Sequence, residues 1–188
     1  TRAIGWNRYP DRGAGRLRTA LAERYGVGAD QVFAANGSNE VLQSLHLAYG
    51  GPGRSAAVFD PTYAMYAQIA RTIGTSVLRG TRDAGHRLVR GEVLSLLAEK
   101  EPTLIHLCSP NNPTGAAATT EQLQSLVDWA NANGSIIVYD AAYAPFIRSD
   151  NVPKSILEIP GARTCAIEVG ARASRASIAS SRTSSIHT

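Results

Sequence analysis

The sequence predicts an α/β domain, a mostly parallel sheet flanked by helices, incomplete at its C-terminus. Two observations carry this. Short apolar runs alternate with helical patterns, as in chains that return parallel strands through helical crossovers. Glycine or proline punctuates most junctions between them. Composition agrees, because 188 residues that are 44% hydrophobic and 18% charged suffice for one core and exclude wholesale disorder.

The elements follow in order. Gly15–Tyr25 places Leu17, Ala20 and Leu21 at helical spacing and stops at Gly26. Residues 31–35 (QVFAA) form a short strand candidate. Ser38–Tyr49 reads as a helix with Ser38 as N-cap and Val41, Leu42, Leu45 and Leu47 inside. Ser55–Asp60 is a strand closed by Pro61. Residues 63–73 make a helix stopped by Gly74, and residues 92–100 another stopped before Pro102. Residues 103–108 are a buried-type strand that runs into Ser109–Pro110–Asn111–Asn112–Pro113. Thr120–Asn133 is a long helix ended by Gly134, residues 135–139 are again a strand, and Ala166–Val169 is the last strand-like run. Residues 170–188 break the pattern. They are rich in Ser, Ala and Arg, with Ile178 and Ile186 the only large aliphatics. The division expected is a folded unit over residues 1–169 and a tail that is disordered or read out of frame.

Charge and cysteine content narrow the function classes. The net charge is +4, and Arg172, Arg175 and Arg182 of the tail account for three of those charges. The folded part is thus near neutral, and no basic stripe points to nucleic acid. The longest apolar runs are far too short to span a bilayer, and no basic-then-apolar leader opens the chain. Cys108 and Cys165 are too few for a disulfide framework or a zinc cluster, so a reduced, cytoplasmic setting with both thiols in the core is expected. The four histidines share no metal-ligand spacing, and His106, inside an apolar strand, reads as a structural residue. No G-x-G-x-x-G, P-loop, G-x-S-x-G or H-E-x-x-H motif is present.

In a parallel α/β sheet, ligands sit just past the carboxyl ends of strands. Four such places carry polar or aromatic groups. Asn36–Gly37–Ser38–Asn39 opens a helix, where Gly37 permits close approach and free N–H groups favour an anion; a plain capped helix start has the same composition. Tyr63 follows the strand ending at Asp60 and could offer its face to a planar ligand or simply pack. Residues 109–115 (SPNNPTG) hold two prolines and a glycine, which fix the backbone and aim Asn112. Asp140, just past an apolar run, needs a cationic partner or serves as a helix cap. Tyr143 lies three residues on.

This ordered set resembles the fold-type I, pyridoxal-phosphate-dependent aminotransferases of classes I and II, over roughly residues 7–169. The SPNNPTG stretch and the strand followed by D-x-x-Y are its most specific parts. The resemblance implies pyridoxal 5′-phosphate as cofactor, with Gly37, Ser38 and Asn39 on its phosphate, Tyr63 stacked on its ring, Asn112 and Tyr143 on its phenolic oxygen, and Asp140 on its protonated ring nitrogen. It implies an amino donor and a 2-oxo acid as substrates, and a homodimer in which Tyr9, within NRYPD at residues 7–11, reaches the partner subunit's phosphate. Residues 7–11, 35–42 (ANGSNEVL) and 61–66 (PTYAMY) resemble histidinol-phosphate aminotransferases. Residues 136–146 (IIVYDAAYAPF) and 153–169 are more like LL-diaminopimelate aminotransferases. The first reading is preferred, with 2-oxoglutarate as amino acceptor. The departure is at the end: the family carries Ser-x-Ser-Lys after the last strand, its lysine forming the Schiff base, and the corresponding slot here holds Ser174. The only lysines are Lys100 and Lys154. The resemblance therefore implies a truncated chain, or a non-catalytic protein that keeps the fold for binding.

Overall fold

The computed structural model describes residues 11–170 and the backbone of residues 176–178. Five strands, β1 (Ser55–Asp60), β2 (Ser76–Thr81), β3 (Leu104–Cys108), β4 (Ile136–Asp140) and β5 (Ala166–Val169), run parallel in the order β2-β1-β3-β4-β5. A sixth, β6 (Ala176–Ile178), pairs antiparallel with β5. The helices are α1 (Gly15–Tyr25), α2 (Ser38–Tyr49), α3 (Met65–Thr72), α4 (Arg90–Lys100) and α5 (Thr120–Asn133).

Period-two alternation sorts the strand side chains into two cores. Ala56, Val58, Leu104, Cys108, Val138 and Ile167 pack with Val41, Leu42 and Leu45 of α2 and Tyr66, Ile69 and Ala70 of α3. On the opposite face Ala57, Phe59, Ile105, Leu107, Ile137 and Tyr139 pack with Val93 and Leu97 of α4 and Leu123, Val127 and Ala130 of α5. The central strand β3 is buried along its whole length, as expected of a strand covered on both faces. Local chemistry sets the ends of α5. Thr119 accepts from Gln122 N at 3.3 Å while the Gln122 side chain accepts from Thr119 N at 2.9 Å, and Gly134 closes the helix at φ 75°.

Several expectations need correction. Residues 31–35 form no strand: Ala29–Gln31 is a single 3-10 turn, and Val32 packs with Leu21 and Ala22 of α1 in a small separate cluster. The run QVFAA has strand composition, but Val32 makes only an isolated bridge and no ladder extends from it. Ser38 is the first residue of α2, and Gly37 at φ 89° is its cap. Helix α3 begins at Met65, so Tyr63 lies just ahead of it, and α4 begins two residues earlier than its apolar pattern. The edge strand β2 has no clear signature in the sequence, because Arg79 and Gly80 interrupt its apolar alternation. Cys108 and Cys165 are buried thiols outside any disulfide, as expected. Among the described residues no helix is long and apolar enough to cross a membrane.

A polar pair lies deep in the first core. His106 of β3 is 2% exposed and His46 of α2 is fully buried, with their Nε2 atoms 2.9 Å apart. Burial, and then the neighbouring His46 ring, push the His106 pKa from its ordinary 6.5 down to about 3, and burial lowers His46 as well. Between those values the unfolded chain takes up a proton that the folded chain refuses. Stability therefore falls as pH drops below about 6.5, by up to about 1.4 kcal/mol per pH unit for His106 alone. Urea unfolding at about pH 7, 6 and 5 measures this, and His106→Leu flattens the slope. A second outcome concerns Gly80, where a Cβ would stand 2.6 Å from Cδ1 of the buried Phe59 ring. Gly80→Ala is expected to lose about 1–3 kcal/mol in urea unfolding, with Phe59→Leu in the same chain recovering part of it.

Candidate active site

The order β2-β1-β3 reverses the direction of winding between β1 and β3, and the loops leaving those strands diverge there. Asn111 clamps the two loops. Its Nδ2 donates to Pro61 O and to Thr114 Oγ1, both at 2.9 Å, and its Oδ1 accepts from Thr62 Oγ1 at 2.8 Å. The Asp60–Pro61, Ser109–Pro110 and Asn112–Pro113 peptide bonds are cis. With Asn111 spent on the clamp and buried, the adjacent Asn112 is half-exposed, and its Nδ2 lies 3.4 Å from the Tyr143 hydroxyl. A groove of about 440 Å³ borders this pair, with Phe146, Arg148 and Val152 also in its wall.

Strand pairing puts Asp140 beside Cys108 at the carboxyl edge. Asp140 is 5% exposed, yet it carries a carboxyl group. Its Oδ2 accepts from Tyr66 Oη at 2.7 Å and its Oδ1 from Ala142 N at 3.0 Å. Burial raises its pKa, and the two hydrogen bonds oppose that rise. Burial also pushes the Cys108 thiol up to about 11, so it remains a thiol next to the carboxylate. Two neutral donors leave the carboxylate with unused acceptor capacity, which a cationic N–H would take up.

The start of α2 is built differently from that of α5. No side chain caps it, Gly37 occupies the left-handed region with open space around its Cα, and Asn36 N is held by Glu40 Oε2 at 2.6 Å. An uncapped first turn presents N–H groups and the positive end of the helix dipole to an anion. Tyr63 joins this turn to the carboxylate. Its hydroxyl donates to Asn39 Oδ1 at 3.1 Å, and its ring meets Tyr66 edge-on at 5.4 Å.

The residues predicted from sequence thus fall into two connected groups. Asn39, Tyr63 and Asp140 are joined through Tyr66, with Gly37 and Ser38 next to Asn39; Asn112 and Tyr143 are joined directly. Tyr9 and Ser174 lie outside the described residues. The two lysines stand elsewhere, Lys100 beside Glu99 at the end of α4 and Lys154 near Glu158 and Arg163. Sequence reading missed Tyr66 and Asn111. Tyr66 follows Tyr63 at a spacing of three, which in a helix puts both on one face, and that was the available signal. Among the described residues no cluster of metal-ligating side chains occurs.

Comparison with known proteins follows the same lines. The family model of aminotransferase class I and II matches residues 3–174. A histidinol-phosphate aminotransferase of Paenarthrobacter aurescens is 41% identical over 161 residues, covering 85% of this chain and 43% of that protein. An LL-diaminopimelate aminotransferase of Protochlamydia amoebophila is 39% identical over 177 residues, covering 85% and 41%. Among solved structures, an L,L-diaminopimelate aminotransferase from Chlamydomonas reinhardtii superposes with a TM-score of 0.73 at 36% identity, covering 87% of this chain and 43% of that one. The chain spans about two fifths of the length of the curated relatives it matches. A parallel sheet in this order, a carboxylate at the end of β4, and a match over most of the sequence lead to one conclusion: the chain belongs to the class I and II aminotransferase family.

Proposed function

We propose that this chain is the cofactor-binding part of a pyridoxal-phosphate-dependent aminotransferase of amino-acid biosynthesis, most similar in kind to histidinol-phosphate:2-oxoglutarate aminotransferase. The observation that carries the reading is the buried Asp140 carboxylate with unused acceptor capacity, in contact through Tyr66 and Tyr63 with the uncapped start of α2. That donor and acceptor set fits a ligand with a cationic aromatic nitrogen, a flat ring and an anionic ester. When bound, pyridoxal phosphate supplies an electron sink for loss of the α-proton of an amino acid.

The roles of the chain's own residues follow from their chemistry. Gly37, Ser38 and Asn39 hold the phosphate on backbone N–H groups at the positive end of α2. Asp140 keeps a proton on the ring nitrogen, because a buried carboxylate stabilises a cation beside it. Asn112 and Tyr143 donate to the phenolic oxygen. Tyr63 covers one ring face. Tyr9 is assigned to the phosphate of a partner subunit in a homodimer. Family members use an amino donor and a 2-oxo acid, and the same substrate classes are proposed here. Residues 1–169 are proposed as the cofactor domain; the family match runs on to residue 174 and residues 176–178 pair with β5, so the start of the 170–188 segment is not separate from the sheet.

Pyridoxamine 5′-phosphate is the direct probe, since it needs no lysine. Fluorescence titration is expected to show saturable binding that Asp140→Asn weakens roughly 10-fold or more, the range for a hydrogen bond to a charged group. Equal affinity in the variant would remove Asp140 from the site. With Ser174 in the lysine slot, pyridoxal phosphate followed by borohydride should leave no stoichiometric adduct; a stable adduct on Lys100 or Lys154 in the mass spectrum would contradict that assignment. The LL-diaminopimelate reading is second, favoured by the 39% identical relative. With pyridoxal phosphate bound, histidinol phosphate should change the absorbance at lower concentration than LL-diaminopimelate. The reverse order favours the second reading, and binding of cofactor with response to neither amine favours a non-catalytic binding protein.

A further inference from the structure

Three flat side chains from three different elements form one column beneath the site. His46 of α2 and His106 of β3 meet edge to edge with nearly parallel planes, ring centroids 4.9 Å apart at 17° and Nε2 atoms 2.9 Å apart. His106 and Tyr66 of α3 stack at 4.8 Å and 14°. All three are at most 2% exposed. The column ends on Asp140, because the Tyr66 hydroxyl donates to its Oδ2 at 2.7 Å.

We propose that His46 and His106 are positioning residues, which act through the Tyr66 ring to set the Asp140 carboxylate for a cationic ring nitrogen. This rests on the cofactor reading given above. Packing alone does not account for the pair. A neutral imidazole pair shares one proton between its Nε2 atoms, so one Nδ1 must carry a hydrogen and the other a lone pair. Neither Nδ1 has a hydrogen-bond partner among the described residues. Aliphatic side chains would fill the same volume without two unsatisfied buried nitrogens. What they would not give is a flat wall. The place of a tyrosine hydroxyl depends on χ1, and a ring lying parallel and offset against Tyr66 blocks that swing. The Nε2–Nε2 hydrogen bond in turn ties the His106 plane to α2, eight residues beyond Ser38 in the same helix. The column therefore couples the helix that offers its N-terminus to an anion with the carboxylate that takes the ring nitrogen.

The test compares pyridoxamine 5′-phosphate with its 1-deaza analogue, in which C–H replaces the ring nitrogen, by titration of the 188-residue chain. His106→Leu removes the flat wall, Tyr66→Phe removes only the hydroxyl, and His106→Phe restores a flat ring. His106→Leu and Tyr66→Phe are each expected to weaken pyridoxamine phosphate about tenfold while leaving the deaza analogue within about twofold, and His106→Phe to recover most of the difference. Equal losses for both ligands overturn the proposal, since a merely structural role does not distinguish N–H from C–H. Tyr66→Phe keeps the packing, so unchanged discrimination in that variant overturns it even where His106→Leu does not fold. Failure of the unmodified chain to bind either ligand sinks the cofactor reading, and this inference with it; binding without ligand-dependent loss sinks only the inference.

Discussion

A carboxylate placed at the buried end of a central strand must be matched by something, and most of this fold is arranged around that requirement. Asp140 lies at the end of β4, 5% exposed, with Tyr66 and Ala142 as its donors. Uncompensated burial of an ionised group is among the costliest events in a protein interior. Two neutral hydrogen bonds offset part of that cost, and the raised pKa shows that they do not offset all of it. A site left in this condition is prepared for a cation.

The sheet topology explains why the matching groups can be drawn from distant parts of the sequence. Reversal of winding between β1 and β3 opens a crevice, into which loops from β1, β3 and β4 converge. Asn111 closes that crevice from below by binding the loop that follows β1. Its neighbour Asn112 is then free for Tyr143. Two adjacent asparagines thus differ, one spent on backbone architecture and one half-exposed beside the Tyr143 hydroxyl.

The two helices on the site's face work in the same way. Each has an end at the crevice and a body in the core: α2 offers its uncapped N-terminus and buries His46, while α3 follows Tyr63 and buries Tyr66. Crevice-facing and buried residues are therefore close along the chain: His46 lies eight residues beyond Ser38 in α2, and Tyr66 three beyond Tyr63.

Local signals sufficed for the helices and buried strands. Thr119 with Gln122, Gly134, and the largely apolar runs of β3 and β4 specify their elements from a few neighbouring residues, because capping and backbone conformation are short-range effects. They also sufficed to place Asn112, Asp140 and Tyr143 at strand ends and Gly37 at a helix start, although the strand expected before Gly37 is absent. Tertiary structure alone decided the rest. Residues 31–35 have strand composition but form none, since a strand needs a neighbour that sequence does not display. The Tyr66–Asp140 bond joins residues 74 apart, and the His46–His106 bond joins residues 60 apart. Hydrogen bonds across such separations are fixed by how strands order themselves in a sheet, which no local pattern encodes.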